Sequence, residues 1–123
     1  TNHKGIDIPA PTGTPIYAAA SGTIVAMLSP SASGGAGYYT KINHNGKGLI
    51  TEYMHQSKFN PKLSVGDKVS KGDIIGYVGS TGNSTGPHLH FGVIVNGVNQ
   101  DPLKLCKKLH DHSLMNPVLN LKT

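Results

Sequence analysis

The stretch Gly79–Val95, GSTGNSTGPHLHFGVIV, decides how the rest of the chain is read. A loop rich in glycine and serine runs into an alternating segment, and side chains two apart on a strand point the same way. His88 and His90 therefore share a face, while Leu89, Phe91, Val93 and Val95 form an apolar face for burial. Such a strand packs one side into a core and presents two imidazoles to a cleft with the other. Near the start of the chain stand His3 and Asp7, with Gly5 between them and Pro9 soon after, so a turn entering a strand is expected there rather than a helix. With His55, these side chains would supply three metal ligands and two further imidazoles for acid–base work. That combination points to a hydrolase with an open zinc site.

The chemistry sets the count. Catalytic zinc takes three protein ligands, with His nitrogens at roughly 2.0–2.1 Å, and keeps its fourth position for water. Two His and one Asp fit that pattern. One imidazole of the His88/His90 pair can bind metal while its neighbour stays free. Bound water then reaches a pKa of about 7 and can attack an amide carbonyl. A histidine, with an unperturbed pKa near 6.5, suits the removal of its proton, and a second imidazole can hydrogen-bond the developing oxyanion. A His-x-His pair is also common on ordinary strands, so the spacing needs support from the rest of the sequence.

Short runs of Val, Ile, Tyr and Thr separated by Gly and Pro predict a β-rich fold with many turns; the chain holds 16 Gly and 8 Pro in 123 residues. Residues 14–19 and 22–28 read as a strand pair bent at Ser21-Gly22. Asn45-Gly46 signals a hairpin between 38–44 and 48–55, with His55 closing its strand, and Asn96-Gly97 turns the His88 strand back toward Gln100. Residues 73–78 form another short strand. Leu49, Thr51, Tyr53 and His55 fall on one face, which puts Tyr53 beside the cleft as a substrate-contacting side chain. Ser29–Gly37, read as a mobile loop, and Gly79–Pro87 frame the groove, where glycine lets main chain approach an extended peptide. An exposed strand edge offers binding by strand addition.

At this length a single domain with one core is expected. The net charge is +5, with every basic residue a lysine. That balance favours anionic polymers, but the lysines are scattered without aromatic interleaving, so no nucleic-acid partner is expected. No apolar run is long enough to span a bilayer. The opening on Thr1, without a signal peptide, is expected of a processed product or an excised domain. Cys106 stands alone and excludes an internal disulfide. A short helix is expected to start near Pro102, residues 104–123 carry Lys104, Lys107, Lys108 and Lys122 against Asp111 alone as a solvated end, and residues 106–123 are taken as the C-terminal tail, with His110 and His112 part of its surface.

Several stretches in order resemble the lysostaphin-type M23 zinc metallopeptidases. They are HKGIDI at 3–8, PTGTPIYAA at 11–19, VGDKV at 65–69, KGDIIG at 71–76, GSTGNSTGPHLHF at 79–91 and DPL at 101–103. The resemblance runs from residue 3 to about 105, so residues 1–105 are taken as the peptidase domain, with an N-terminal edge that is short by the family's pattern. It implies a mainly β fold, a compact antiparallel sheet of the lysostaphin/LytM type, barrel-sandwich-like, with a short C-terminal helix. It implies His3, Asp7 and His90 as ligands of one Zn2+, and His55 and His88 as unligated active-site histidines, the division of labour between these two left open. The implied substrate is bacterial peptidoglycan, cut in its cross-bridges or stem peptides. The implied setting is a secreted or cell-wall bacteriolytic enzyme, or a phage lytic protein, and part of a larger chain. Gly92 departs from the family, which often carries an acidic residue there.

Two other functions fit parts of the sequence. A non-catalytic regulatory or wall-binding domain would use the same scaffold but normally lacks ligands, and none is lost here. VGDKVSKGD at 65–73 also resembles a turn of swinging-arm carrier domains, which need a modifiable lysine at a hairpin tip.

Overall fold

The computed structural model describes residues 5–44, 48–82 and 84–101, so His3, the Asn45-Gly46 turn and the segment from Pro102 onward lie outside the described residues. Among the described residues, nine strands make up an antiparallel sheet system: β1 (Ile6–Pro9), β2 (Pro15–Tyr17), β3 (Gly22–Leu28), β4 (Tyr38–His44), β5 (Leu49–Phe59), β6 (Lys68–Val69), β7 (Ile74–Val78), β8 (His88–Val95) and β9 (Val98–Gln100). The main path runs β1-β8-β5-β4-β3-β6, while β7 pairs with both β2 and β5, and β9 flanks β8. The mainly β, antiparallel fold is thus what the sequence led us to expect.

β5 organises the rest. Its first half pairs with β8, from Leu49↔Val95 to Met54↔His90, and its second half pairs with β7, from Gln56↔Val78 to Phe59↔Gly76. Between the two halves the register against β4 also slips, from Thr40↔Tyr53 to Tyr38↔Gln56. An extra residue of this kind bends a strand and re-aims its side chains. His55 sits at that bend with φ of 62°, a left-handed conformation uncommon for a non-glycine residue. His55 therefore lies inside a strand that continues to Phe59, not at its end.

The core forms where the apolar faces meet: Ile16, Ile24, Ile42, Tyr53, Ile75, Leu89, Phe91 and Val93 are all essentially inaccessible. The face of β5 shared by Leu49, Thr51 and Tyr53 looks into this core. Tyr53 packs on Phe91 with ring centroids 5.5 Å apart and is fully buried, so it does not line the groove where its spacing had put it. Its hydroxyl belongs to a directional chain of hydrogen bonds. The Ala19 N–H donates to Tyr53 (3.0 Å), Tyr53 donates to Thr51 (2.7 Å), and Thr51 donates to His44 Nε2 (2.8 Å). His44 Nδ1–H in turn donates to the Ser21 carbonyl (2.8 Å). Since a carbonyl only accepts, every direction in the chain follows from its two ends.

Two further local expectations differ from the structure. β2 pairs with β7 and β3 pairs with β4 and β6, so residues 14–19 and 22–28 are not partners. Residues 30–36 coil into a short α-helix, α1 (Pro30–Ser33), and a 3-10 turn (Gly34–Ala36) where a plain loop was expected. Lys68 lies in β6 and Lys71 in the turn after it, and β6 and β7 pair with different strands, so neither lysine tops the hairpin a carrier domain needs. The β8–β9 hairpin does form, with positive φ at both Asn96 (51°) and Gly97 (81°), the pattern of a type I′ turn.

Candidate active site

β1 lies antiparallel to β8 with Asp7 opposite His90 and Pro9 opposite His88. Facing residues in an antiparallel pair project to the same side, so the carboxylate meets both imidazoles. Asp7 Oδ1 is 2.8 Å from His90 Nδ1 and 3.5 Å from His88 Nε2. His55 arrives from the bend in β5, its ring centroid 4.9 Å from that of His88 and 6.2 Å from that of His90. Four ligand-type or proton-transferring side chains from three strands thereby share one end of the sheet.

The ring nitrogens are not equivalent. His55 Nδ1–H donates to the Thr81 carbonyl at 2.7 Å, which leaves Nε2 as the free nitrogen. His88 Nδ1–H donates to the Gly86 carbonyl at 2.8 Å, with Ser84 Oγ 3.2 Å away, and leaves its Nε2 toward Asp7. Both supports come from the glycine-rich loop before β8, which was expected to frame the groove and deliver His88 but not to hold the rings. Burial holds the His55 pKa below the ordinary histidine value; the Thr81 carbonyl opposes that, the His88 and His90 rings add to it and Asp7 opposes it. Neutral His55 is the state this environment favours.

Gly5 explains how β1 reaches the site. A Cβ at this position would collide with the His90 ring and the Phe91 carbonyl, so only glycine lets the chain pass against that ring. His3 precedes it by one short step of sequence. The acidic residue expected after His-Leu-His-Phe is Gly92, and opposite it stands Glu52, whose carboxylate accepts from the Tyr39 hydroxyl at 2.6 Å and lies 4.0 Å from Lys41 Nζ.

Asp7 Oδ1 and His90 Nδ1 are of the donor types that bind zinc, but at 2.8 Å they meet in a direct hydrogen bond, closer than the roughly 3.3 Å that separates tetrahedral ligands held at roughly 2.0–2.1 Å. Among the described residues no three ligand-type side chains close into a full metal cage. The sequence-derived third ligand, His3, lies outside them.

Residues 1–102 match Peptidase family M23. The chain belongs to this family. The M23 relative peptidoglycan DD-endopeptidase ShyC of Vibrio cholerae is 40% identical over 100 residues, which cover 81% of this chain and 22% of that protein. The catalytic domain of the antimicrobial peptidase lysostaphin from Staphylococcus simulans superposes with a TM-score of 0.75 at 40% identity, covering 85% of this chain and 79% of that one. A zinc-containing peptidase from Vibrio cholerae superposes with a TM-score of 0.71 at 35% identity, over 79% of this chain and 28% of that one. The chain thus spans about a fifth of the length of the curated M23 relatives it matches. Among the described residues no helix is long and apolar enough to cross a membrane.

Proposed function

We propose that this M23 domain is a zinc-dependent endopeptidase that hydrolyses peptide bonds in the cross-bridges or stem peptides of bacterial peptidoglycan, as part of a larger wall-lytic protein acting outside the cell or delivered by a phage. The observation that carries the reading is the convergence of Asp7 Oδ1 on His90 Nδ1 and His88 Nε2, with the His55 ring beside them. Asp7 and His90 would hold the ion together with His3, the third ligand that the family resemblance implies. Zn2+ in such a site supplies Lewis acidity toward water and a peptide carbonyl, bringing the acidity of water close to neutral pH.

The chain's own residues do the rest. His55, kept neutral by burial and held through Nδ1, offers Nε2 as a proton acceptor. His88, anchored to Gly86, places a second Nε2 beside the same carboxylate. It can take up a proton there or, once protonated, donate to an oxyanion. The partial burial of these rings limits competing solvent, which strengthens each of these interactions.

Elemental analysis of the purified chain, paired with digestion of peptidoglycan sacculi and mass spectrometry of the new amino termini, tests the proposal. About one zinc per chain and new peptide amino termini are expected. Asp7→Ala should lose metal and lower the rate by more than about 100-fold, above the range for residues that only support a ligand. A chain without metal, or an Asp7→Ala variant with undiminished hydrolysis, would overturn it.

A further inference from the structure

The bend that carries His55 costs the sheet a ladder bond, and one side chain replaces it. Tyr38 and Gln56 stand opposite each other across β4 and β5 just past the slip in register. Thr81 Oγ1 lies between them: it accepts from the Tyr38 N–H at 3.0 Å and donates to the Gln56 carbonyl at 2.6 Å. The same residue's carbonyl accepts from His55 Nδ1 at 2.7 Å. One threonine therefore holds the strand open with its hydroxyl and fixes the ring with its main chain.

Close packing leaves this residue little freedom. A Cβ on Gly37 would strike Thr81, and a Cβ on Gly82 would strike the main chain of Gly35 and Gly37, so the two groove loops touch through glycines on either side of it. At the next position on β5, Gln56 Nε2 donates to Thr40 Oγ1 (2.9 Å) and to the Tyr53 carbonyl (3.0 Å), bracing the chain through the left-handed turn at His55.

We propose that Thr81 is the positioning residue for His55, its hydroxyl seated in the β4–β5 bulge so that its carbonyl selects the ring tautomer with Nε2 free. The inference rests on the hydrolytic reading of the site for its effect on rate, but its structural content does not. A neutral imidazole has two tautomers, and only the one protonated at Nδ1 offers Nε2 as a base. Without the hydroxyl, the Tyr38 N–H and Gln56 carbonyl lose their bridge, and the segment that presents the carbonyl loses its anchor.

Thr81→Val keeps the side-chain volume and removes the hydroxyl, whereas Thr81→Ser keeps the hydroxyl. In 15N-labelled full chain near pH 8, two-bond 1H–15N spectra of His55 should show the Nδ1–H tautomer in the wild type and in Thr81→Ser, and a mixture in Thr81→Val. On peptidoglycan, kcat should fall about 10- to 100-fold in Thr81→Val with KM little changed, the range typical of a lost orienting partner, and Thr81→Ser should restore it. A pure Nδ1–H tautomer and full kcat in a folded Thr81→Val would overturn the inference. If that variant does not fold, the wild type alone decides: an Nε2–H tautomer at His55 overturns the inference, and an exchange-protected Nδ1–H supports it. A wild-type chain with the expected tautomer and no hydrolysis would sink the endopeptidase reading while leaving the role of Thr81 in place.

Discussion

His44 and His55 belong to the same pair of strands, yet they are built for different work. His44 ends β4 with both ring nitrogens satisfied, one by the Ser21 carbonyl and the other by Thr51. Among the bonds described, His55 spends only Nδ1, on Thr81. Both are at least nine-tenths buried, so exposure does not separate them. What separates them is the second nitrogen: closed into a hydrogen-bond chain it makes a structural histidine, and left over beside Asp7, His88 and His90 it makes a chemical one. Geometry at the backbone follows the same division, with His44 in regular strand and His55 in a left-handed kink.

Substitution offers the sharpest way to break this comparison. His55→Ala should cut kcat by about 10²- to 10⁴-fold, the usual contribution of a positioned acid–base group, while the urea midpoint stays near that of the wild type. Equal losses of activity from His44→Ala in fully folded protein would erase the distinction. His44→Ala should instead leave activity per folded molecule unchanged and cost about 1–3 kcal/mol of stability, because the buried Thr51 hydroxyl loses its acceptor and the Ser21 carbonyl its donor. Denaturant titration alongside specific activity reads both quantities.

A smaller effect is expected from pH. Burial lowers the His44 pKa, against the raising influence of the Ser21 carbonyl. The unfolded chain then binds a proton near the ordinary histidine value of about 6.5 while the folded chain resists it. Stability is therefore full above that value and declines as pH falls below it toward the folded pKa. Protonation also disturbs the hydrogen-bond chain, since Thr51 can no longer donate to Nε2. Thermal midpoints measured between pH 7.5 and 5.5 should fall, and should fall less steeply in His44→Gln; identical slopes would remove His44 from the account.

Much of this arrangement was legible in the sequence. Period-two spacing put His88 and His90 on one face, and Asn96-Gly97 named its own turn, because both depend on a few neighbouring residues. The β4–β5 pairing was equally local. Partner choice was not: residues 14–19 and 22–28 are adjacent in the chain, but β2 finds β7 and β3 finds β4, a matter of which apolar faces complete the core. Tyr53 was misplaced for a related reason. Alternation gives two faces and does not say which one the core takes, nor that a bulge two residues later turns His55 away from the row Tyr53 occupies. The supports of the ring nitrogens, Thr81 and Gly86, act through carbonyls that every residue possesses, so side-chain identity carried little sign of them.

The flanks of β8 have a consequence for solubility. β5 occupies one side along most of its length, and on the other side β1 covers His88–Phe91 while β9 covers Val93–Val95. A strand so rich in β-branched and aromatic residues would otherwise template growth by neighbouring molecules. The tight turn at Asn96-Gly97 folds the chain's own continuation over the apolar end of that hazard, while β1 covers the end bearing two of the groove's imidazoles, so the strand is kept out of fibril-like self-association from both directions.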